Sequence, residues 1–180
     1  MSLPLIQRAC TVSSIVNVHE VQVHPLPAPY APTGRAAETH APLLARLAGI
    51  PGSPQLGANL VALAPGKCAF PFHSHRVSDE LFYIVSGAGE LRFGEHIHPL
   101  REGDFIACHA GGPEAAHQIR NTGASELRYI AIGTNPPADI AEYPDSGKFK
   151  TYSLGDGTSR FDATAKMDED SSDYWSLADG

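Results

Sequence analysis

Two histidines separated by a single residue, His73 and His75, are followed five residues later by Glu80. In an extended strand, alternate side chains point to the same face with a rise of about 3.3 Å per residue, so both imidazoles would emerge together about 7 Å apart. Glu80 shares a face with Phe82 and Ile84 by the same period of two. A carboxylate on an apolar face is costly to bury unless a positive group meets it. The pattern therefore predicts that two imidazoles and a carboxylate can converge on one ion.

A third histidine, His117, stands at the start of a later strand-like segment. Three neutral imidazoles and one carboxylate form a mixed nitrogen and oxygen ligand set that suits Fe, Mn, Co, Ni, Cu or Zn. The candidate metal ligands are therefore His73, His75, Glu80 and His117.

The residues around these four side chains resemble the two signature motifs of the cupin superfamily. The matching residues are Gly66, His73, His75, Glu80, Gly87, Gly103, Asp104, Gly111, His117 and Asn121. In cupins the corresponding four side chains bind one metal ion inside a small β-barrel. The resemblance implies an all-β fold, a single antiparallel barrel of the jelly-roll type, with one divalent transition metal ion as its cofactor.

A narrower resemblance is to a group of small single-domain bacterial cupins, some of which are labelled sugar-phosphate isomerase-like. It rests on segments 116–121 and 143–148, which read Ala-His-Gln-Ile-Arg-Asn and Tyr-Pro-Asp-Ser-Gly-Lys. Because one fold hosts many chemistries, this label does not choose a reaction.

Three departures from the cupin pattern lie near the expected ligands. One extra residue separates Gly66 from His73, loop 111–116 is longer than the basic pattern, and His109 stands where proline is usual. An imidazole with an unperturbed pKa near 6.5 can transfer protons at neutral pH, so His109 is a candidate catalytic acid or base if it faces inward. The alternative is an exposed loop histidine.

Three further residues are candidates for binding a substrate. Arg76 follows the second histidine and could hold an anionic group through two parallel hydrogen bonds. Phe82 and Ile84 could line an apolar pocket around the metal, or simply fill the interior of the barrel.

A second His-x-His pair, His96 and His98, competes with the first as a metal site. This pair lacks a carboxylate at the offset that Glu80 has from His75. We therefore interpret it as an exposed or barrel-lining pair.

The composition limits the classes of partner. A chain of 180 residues with 42% hydrophobic residues is long enough to bury a core. The formal charge of −7 argues against a nucleic-acid partner, because phosphate binding needs a basic face. No apolar run approaches the roughly 20 residues of a membrane helix, and the first residues do not read as a secretory signal. We expect a cytoplasmic protein that binds a small molecule and no membrane, with its three cysteines reduced.

The chain divides into three segments. Residues 1–56 are predicted to form an N-terminal arm, with an early strand over 16–23, a proline-rich stretch and a short helix over 37–47. Residues 57–135 hold the barrel core, in which short strands alternate with glycine turns. Residues 136–180 form a polar C-terminal tail that packs on the barrel or on a dimer mate, with an acidic run over 168–173 before Trp175.

Two classes of function remain open. The first is a metal-dependent enzyme acting on a small sugar-like or carboxylate metabolite, with isomerase, epimerase or dioxygenase chemistry. The second is a non-catalytic module whose metal orients a small metabolite. We expect a homodimer in either case, because cupins commonly pair barrels edge to edge and the two terminal segments could cover strand edges.

Overall fold

The structure is a computed structural model that describes residues 15–48, 55–153 and 161–167. Strands dominate these residues, and a short α-helix, α1 (Ala36–Thr39), precedes the barrel. Two single 3-10 turns span Pro113–Ala115 and Pro144–Ser146. The strands in chain order are β1 (His24–Pro25), β2 (Leu43–Ala48), β3 (Leu56–Leu63), β4 (Ser74–His75), β5 (Glu80–Ser86), β6 (Ala88–Phe93), β7 (His96–Arg101), β8 (Phe105–Cys108), β9 (His117–Arg120), β10 (Leu127–Thr134), β11 (Ala138–Tyr143), β12 (Lys148–Ser153) and β13 (Phe161–Lys166).

The strands form three antiparallel sheets. A six-stranded sheet has the order β1-β2-β3-β10-β5-β8, a four-stranded sheet the order β13-β12-β11-β4, and a three-stranded sheet the order β7-β6-β9. The predicted all-β jelly-roll fold is confirmed, with sheets that do not close at their edges. No helix within the described residues is long and apolar enough to cross a membrane.

The hydrophobic core lies between the six-stranded and three-stranded sheets. Its side chains come from alternate strand positions, as the period of two requires. Burial of each large apolar side chain contributes about 1.5–3 kcal/mol, so this cluster holds the sheets together. The cluster comprises Val61, Leu63, Ala69, Phe82, Ile84, Leu91, Leu100, Cys108, Ile119, Leu127 and Tyr129.

Two predicted turn glycines have left-handed backbone angles. Gly87 has φ of 87° and Gly103 has φ of 90°, a region that L-residues with a Cβ rarely adopt. At Gly87 a Cβ atom would also lie 2.5 Å from the backbone oxygen of Glu126. The tight connection between β5 and β6 therefore requires glycine on two grounds.

Two predictions for the N-terminal arm were wrong. No strand spans 16–23, because the Asn17 side chain accepts a hydrogen bond from the backbone N–H of His19, 3.0 Å, and starts a turn. The helix over 37–47 is limited to α1. Leu44 instead lies in β2 opposite Val61 of β3, since strand β3 offers backbone partners that outweigh the local helical pattern.

The C-terminal segment adds strands to the barrel. Strand β11 pairs with β4, where Ala141 faces His75 and Glu142 faces Ser74. Strands β12 and β13 extend this sheet outward. The acidic run 168–173 and Trp175 lie outside the described residues.

The cysteines that the structure describes are free and buried. They are Cys68 and Cys108, which agrees with the prediction of reduced thiols. Cys10 lies outside the described residues.

Candidate metal centre

Backbone pairing brings the four candidate ligands together. His73 and His117 form an antiparallel bridge, in which the N–H of His73 donates to the carbonyl of His117, 3.2 Å, and the N–H of His117 donates back, 2.8 Å. His75 is the last residue of β4, and Glu80 is the first residue of β5. Three strand ends and the bridge residue His73 therefore meet at one mouth of the barrel.

The ligand atoms converge on the carboxylate of Glu80. Its Oε2 atom lies 2.9 Å from Nε2 of His117, 3.7 Å from Nε2 of His75 and 4.0 Å from Nε2 of His73. The candidate ligand atoms of His73, His75 and Glu80 all lie within 4.8 Å of one another. The imidazole of His73 lies 5.0 Å, centroid to centroid, from each of the other two rings. This spacing suits one ion bound between the side chains.

Hydrogen bonds on the far side of two rings fix their tautomers. Nδ1 of His73 lies 2.8 Å from the carbonyl of Pro71, and Nδ1 of His117 lies 3.2 Å from the carbonyl of Ala115. Because a carbonyl can only accept, each Nδ1 carries a proton, and Nε2 is the ring atom left to face Glu80 and to bind an ion when it is unprotonated.

The third ring has a carboxylate in the same position. Nδ1 of His75 lies 2.6 Å from Oδ2 of Asp139, a residue of β11. With three Nε2 atoms and one carboxylate oxygen facing a common point, the residues fit a divalent transition metal ion.

Burial and pairing shift the protonation of these groups. Burial lowers the pKa of His73 to about 4. Burial also disfavours the charged form of His117, but its hydrogen bonds to Cys108 and Glu80 outweigh this and raise the pKa of His117 to about 10. Burial raises the pKa of the Glu80 carboxyl, but the hydrogen bond from His117 and the charges of the three histidines together outweigh burial and lower it. Without metal, His117 and Glu80 therefore form an ion pair at neutral pH.

Aromatic side chains surround the ligands. The ring of Phe82, which is buried, lies 5.5 Å from His117 and 5.9 Å from the ring of Tyr129. Tyr143, at the end of β11, stacks on His73 with 6.0 Å between centroids. Burial raises the pKa of Tyr143, so its phenol stays protonated at neutral pH.

The other three candidate residues differ in burial and in their partners. Ile84 is fully buried in the core. Strand alternation turns Arg76 to the face opposite His75, where its Nε donates to Oε1 of Glu142 at 2.5 Å. His109 is exposed, and its charge acts on Glu114.

The competing His-x-His pair lies on β7. Both His96 and His98 are exposed, with ring centroids 6.3 Å apart. The prediction of an exposed or barrel-lining pair fits this position.

Sequence reasoning missed Asp139 and Tyr143, both of which approach the ligand rings from β11. A single aspartate in a polar segment carries no signal of its own. The usable signal was the alternation of Asp139, Ala141 and Tyr143 within a short strand, which places all three on one face.

A barrel with three histidines and a glutamate at its mouth is typical of a class of β-proteins that bind a metal ion. Residues 59–133 match the family model described as Cupin domain, and this stretch contains all four candidate ligands. Residues 59–133 of the chain are therefore a cupin domain.

Individual relatives agree with this assignment. Protein SchB of Streptomyces halstedii is 33% identical over 79 residues, which are 44% of this chain and 52% of that protein. The chain thus matches about half the length of this curated relative.

Two solved structures resemble the chain over a larger share. A cupin named as a sugar phosphate isomerase from Silicibacter pomeroyi has a TM-score of 0.68 and 26% identity, covering 86% of this chain and 94% of its own. A protein from Acidithiobacillus ferrooxidans, assigned provisionally to the sugar phosphate isomerases, has a TM-score of 0.62 and 27% identity, covering 71% and 77%.

Proposed function

We propose that this cupin is a metal-dependent enzyme that isomerises or epimerises a small sugar-like metabolite. The observation that carries the proposal is the convergence of three Nε2 atoms on Glu80, with every Nδ1 already hydrogen-bonded elsewhere. The two solved structures named as sugar phosphate isomerases support this choice of reaction over the dioxygenase chemistry that the ligand set also permits.

The ligand set would leave sites for the substrate. His73, His75, Glu80 and His117 would hold the ion, which would polarise a substrate carbonyl and acidify the adjacent C–H. An ion that prefers six ligands would keep about two positions open beyond these four.

The chain's own residues would then guide the substrate and its protons. Phe82 contributes an apolar wall beside His117. Tyr143, held in its protonated form, can donate a hydrogen bond or a proton to an oxygen bound near His73. His109 stays a prediction for the catalytic acid or base, and its exposed position leaves it open to solvent. We leave Arg76 and Ile84 out of the substrate site because one pairs with Glu142 and the other is fully buried.

Isotope exchange tests the proposal directly. Protein purified without chelators would be analysed for metal and incubated in D2O with a panel of aldose and ketose phosphates. Proton NMR should show deuterium entering the carbon next to the carbonyl, and the variant His75→Ala should abolish it. Uptake of O2 with carboxylate substrates, in place of exchange, would favour a dioxygenase.

The second candidate is a non-catalytic module that binds a metabolite through its metal. The exposure of His109 favours it, because packing does not hold an exposed imidazole in one orientation toward a substrate. Metal-dependent binding of a sugar phosphate, with neither exchange nor O2 uptake across the panel, would select this alternative.

We also propose a cytoplasmic homodimer. Strand β8 is an edge of the six-stranded sheet, and Phe105 on it faces Tyr83 of β5. The two aromatic residues are 63% and 40% exposed, a surface that a second copy could cover. Light scattering at micromolar concentration should give twice the mass of one chain, and a monomer would contradict the proposal.

A further inference from the structure

We infer that Asp139 is a positioning residue for the metal centre. Its carboxylate holds the imidazole of His75 in the tautomer that can bind an ion. The inference rests on the proposed metal site. It concerns a residue outside the stretch matched by the cupin family model, which ends at residue 133.

Asp139 is buried and its carboxylate is fully hydrogen-bonded. Only 2% of the residue is exposed. Oδ2 accepts from Nδ1 of His75, 2.6 Å, and from the hydroxyl of Ser78, 2.7 Å. Oδ1 accepts from the backbone N–H of Val77, 3.0 Å, and of Ile140, 2.8 Å. A carboxylate can accept at four lone pairs, and here all four have donors.

These hydrogen bonds fix the conformation of the chain between His75 and Glu80. Asp139 contacts His75 and also residues 77 and 78, which lie on the loop leading to Glu80. The backbone N–H of Arg76 donates to the carbonyl of Ile140, 2.9 Å, which ties the same loop to β11. The geometry that brings His75 to Glu80 is therefore set by β11 before any ion arrives.

The two oxygens of Asp139 have different kinds of hydrogen-bond partner, and this difference decides how an Asn side chain would orient. An Asn at this position must direct its NH2 group at one of the two oxygen sites. At the Oδ1 site it would meet two backbone N–H groups, which cannot change roles. At the Oδ2 site it would meet His75 and Ser78, and both can become acceptors.

The amide would therefore settle with its NH2 toward His75. Nδ1 of His75 would then accept, and the proton would move to Nε2. A protonated Nε2 has no lone pair to give to the ion. Asp139→Asn should thus weaken metal binding while removing no ligand.

The experiment measures Zn²⁺ affinity by chelator competition in the full chain. Asp139→Asn should lower the affinity about 10- to 100-fold, the range typical for loss of a hydrogen-bond partner behind a metal-binding histidine. The matched control is Asp145→Asn, whose carboxylate pairs with Arg92 at the surface and should leave the affinity unchanged. Ser78→Ala removes one donor from Oδ2 but leaves the bond to His75, so it should have a smaller effect than Asp139→Asn.

A second measurement reads the tautomer itself. Nitrogen-15 NMR of metal-free protein, at a pH where the imidazole is neutral, should find the His75 proton on Nδ1. In Asp139→Asn it should move to Nε2, which a purely structural role would not produce. If the variant does not fold, the wild-type spectrum still decides, because a proton on Nε2 there would overturn the inference.

The failures can be told apart. Wild-type affinity in Asp139→Asn, together with loss of metal in His75→Ala, would overturn the role of Asp139 and leave the metal site standing. A wild-type protein that takes up none of Zn²⁺, Mn²⁺, Fe²⁺ or Ni²⁺ would overturn the proposed function, and the inference with it.

Discussion

Nε2 of His117 and Oε2 of Glu80 lie 2.9 Å apart, in a hydrogen bond that joins the first residue of β9 to the first residue of β5. Each group shifts the other toward its charged form, so the pKa of His117 rises and that of Glu80 falls. In the metal-free centre, Nε2 of His117 thus carries a proton, and a metal ion must displace this proton to bind there.

Metal uptake should therefore release a proton. The pKa of His117, about 10, keeps its ring protonated below that pH, and an ion competes for the same Nε2. Between about pH 7 and pH 9 the affinity should rise roughly tenfold per pH unit, with about one proton released per ion. Titration calorimetry in buffers of different ionisation enthalpy counts the protons. Uptake at pH 8 without proton release would contradict the ion pair.

Changes to the ligands should separate metal binding from folding. His75→Ala or Glu80→Gln should reduce metal occupancy strongly. Far-UV circular dichroism should still show a β-protein, because neither residue belongs to the hydrophobic core that stabilises the fold. The control is the double change at His96 and His98 to Ala, which should leave occupancy near wild type. Loss of metal from that double variant alone would move the site to β7.

The ion pair between Arg76, which follows β4, and Glu142 of β11 should contribute to stability. Glu142 is buried, and Arg76→Ala would leave its carboxylate without the Nε donor. Because the Arg76 side chain is 46% exposed, solvent screening should keep the loss near the lower end of the range of about 1–3 kcal/mol for a buried group left unpaired. Urea unfolding measures it. Asp145→Asn breaks an exposed pair and should change the free energy of unfolding by less than about 1 kcal/mol.

Two glycines with similar backbone angles should respond differently to alanine. Gly66 has φ of 78° and open space where a Cβ would stand, so Gly66→Ala should cost about 1–2 kcal/mol from backbone strain alone. Gly87→Ala adds a contact of 2.5 Å with Glu126 and should cost about 1–3 kcal/mol more. Equal midpoints in thermal unfolding would show that the loop around Glu126 moves away freely.

The barrel was predictable because its strands have a local signature. Glu80 to Val85 is a short run rich in aromatic and β-branched residues that ends at the Gly87 turn, and β5 spans Glu80–Ser86. The arm was not predictable in the same way. Leu43, Leu44 and Leu47 have helical spacing, and only the partner strand β3, distant in sequence, makes them a strand.

The candidate centre shows the same division. The spacing of His73, His75 and Glu80 reflects one stretch of chain, so it was readable locally. Asp139 follows His75 by 64 residues and has no motif of its own, so its contact depended on how β11 pairs with β4. The role of Arg76 in substrate binding stays a prediction. Strand alternation directs its side chain to the face opposite His75, where it pairs with Glu142.

The reciprocal backbone bonds between His73 and His117 hold the two ligand-bearing segments at a fixed separation. The two segments cannot move apart without breaking both backbone hydrogen bonds, which are 3.2 Å and 2.8 Å long. Two imidazoles carried on such a rigid backbone suit ions whose bonds to nitrogen are near 2.0–2.1 Å. Calcium, which needs bonds of about 2.3–2.6 Å and many oxygen donors, does not suit a set of three imidazoles and one carboxylate.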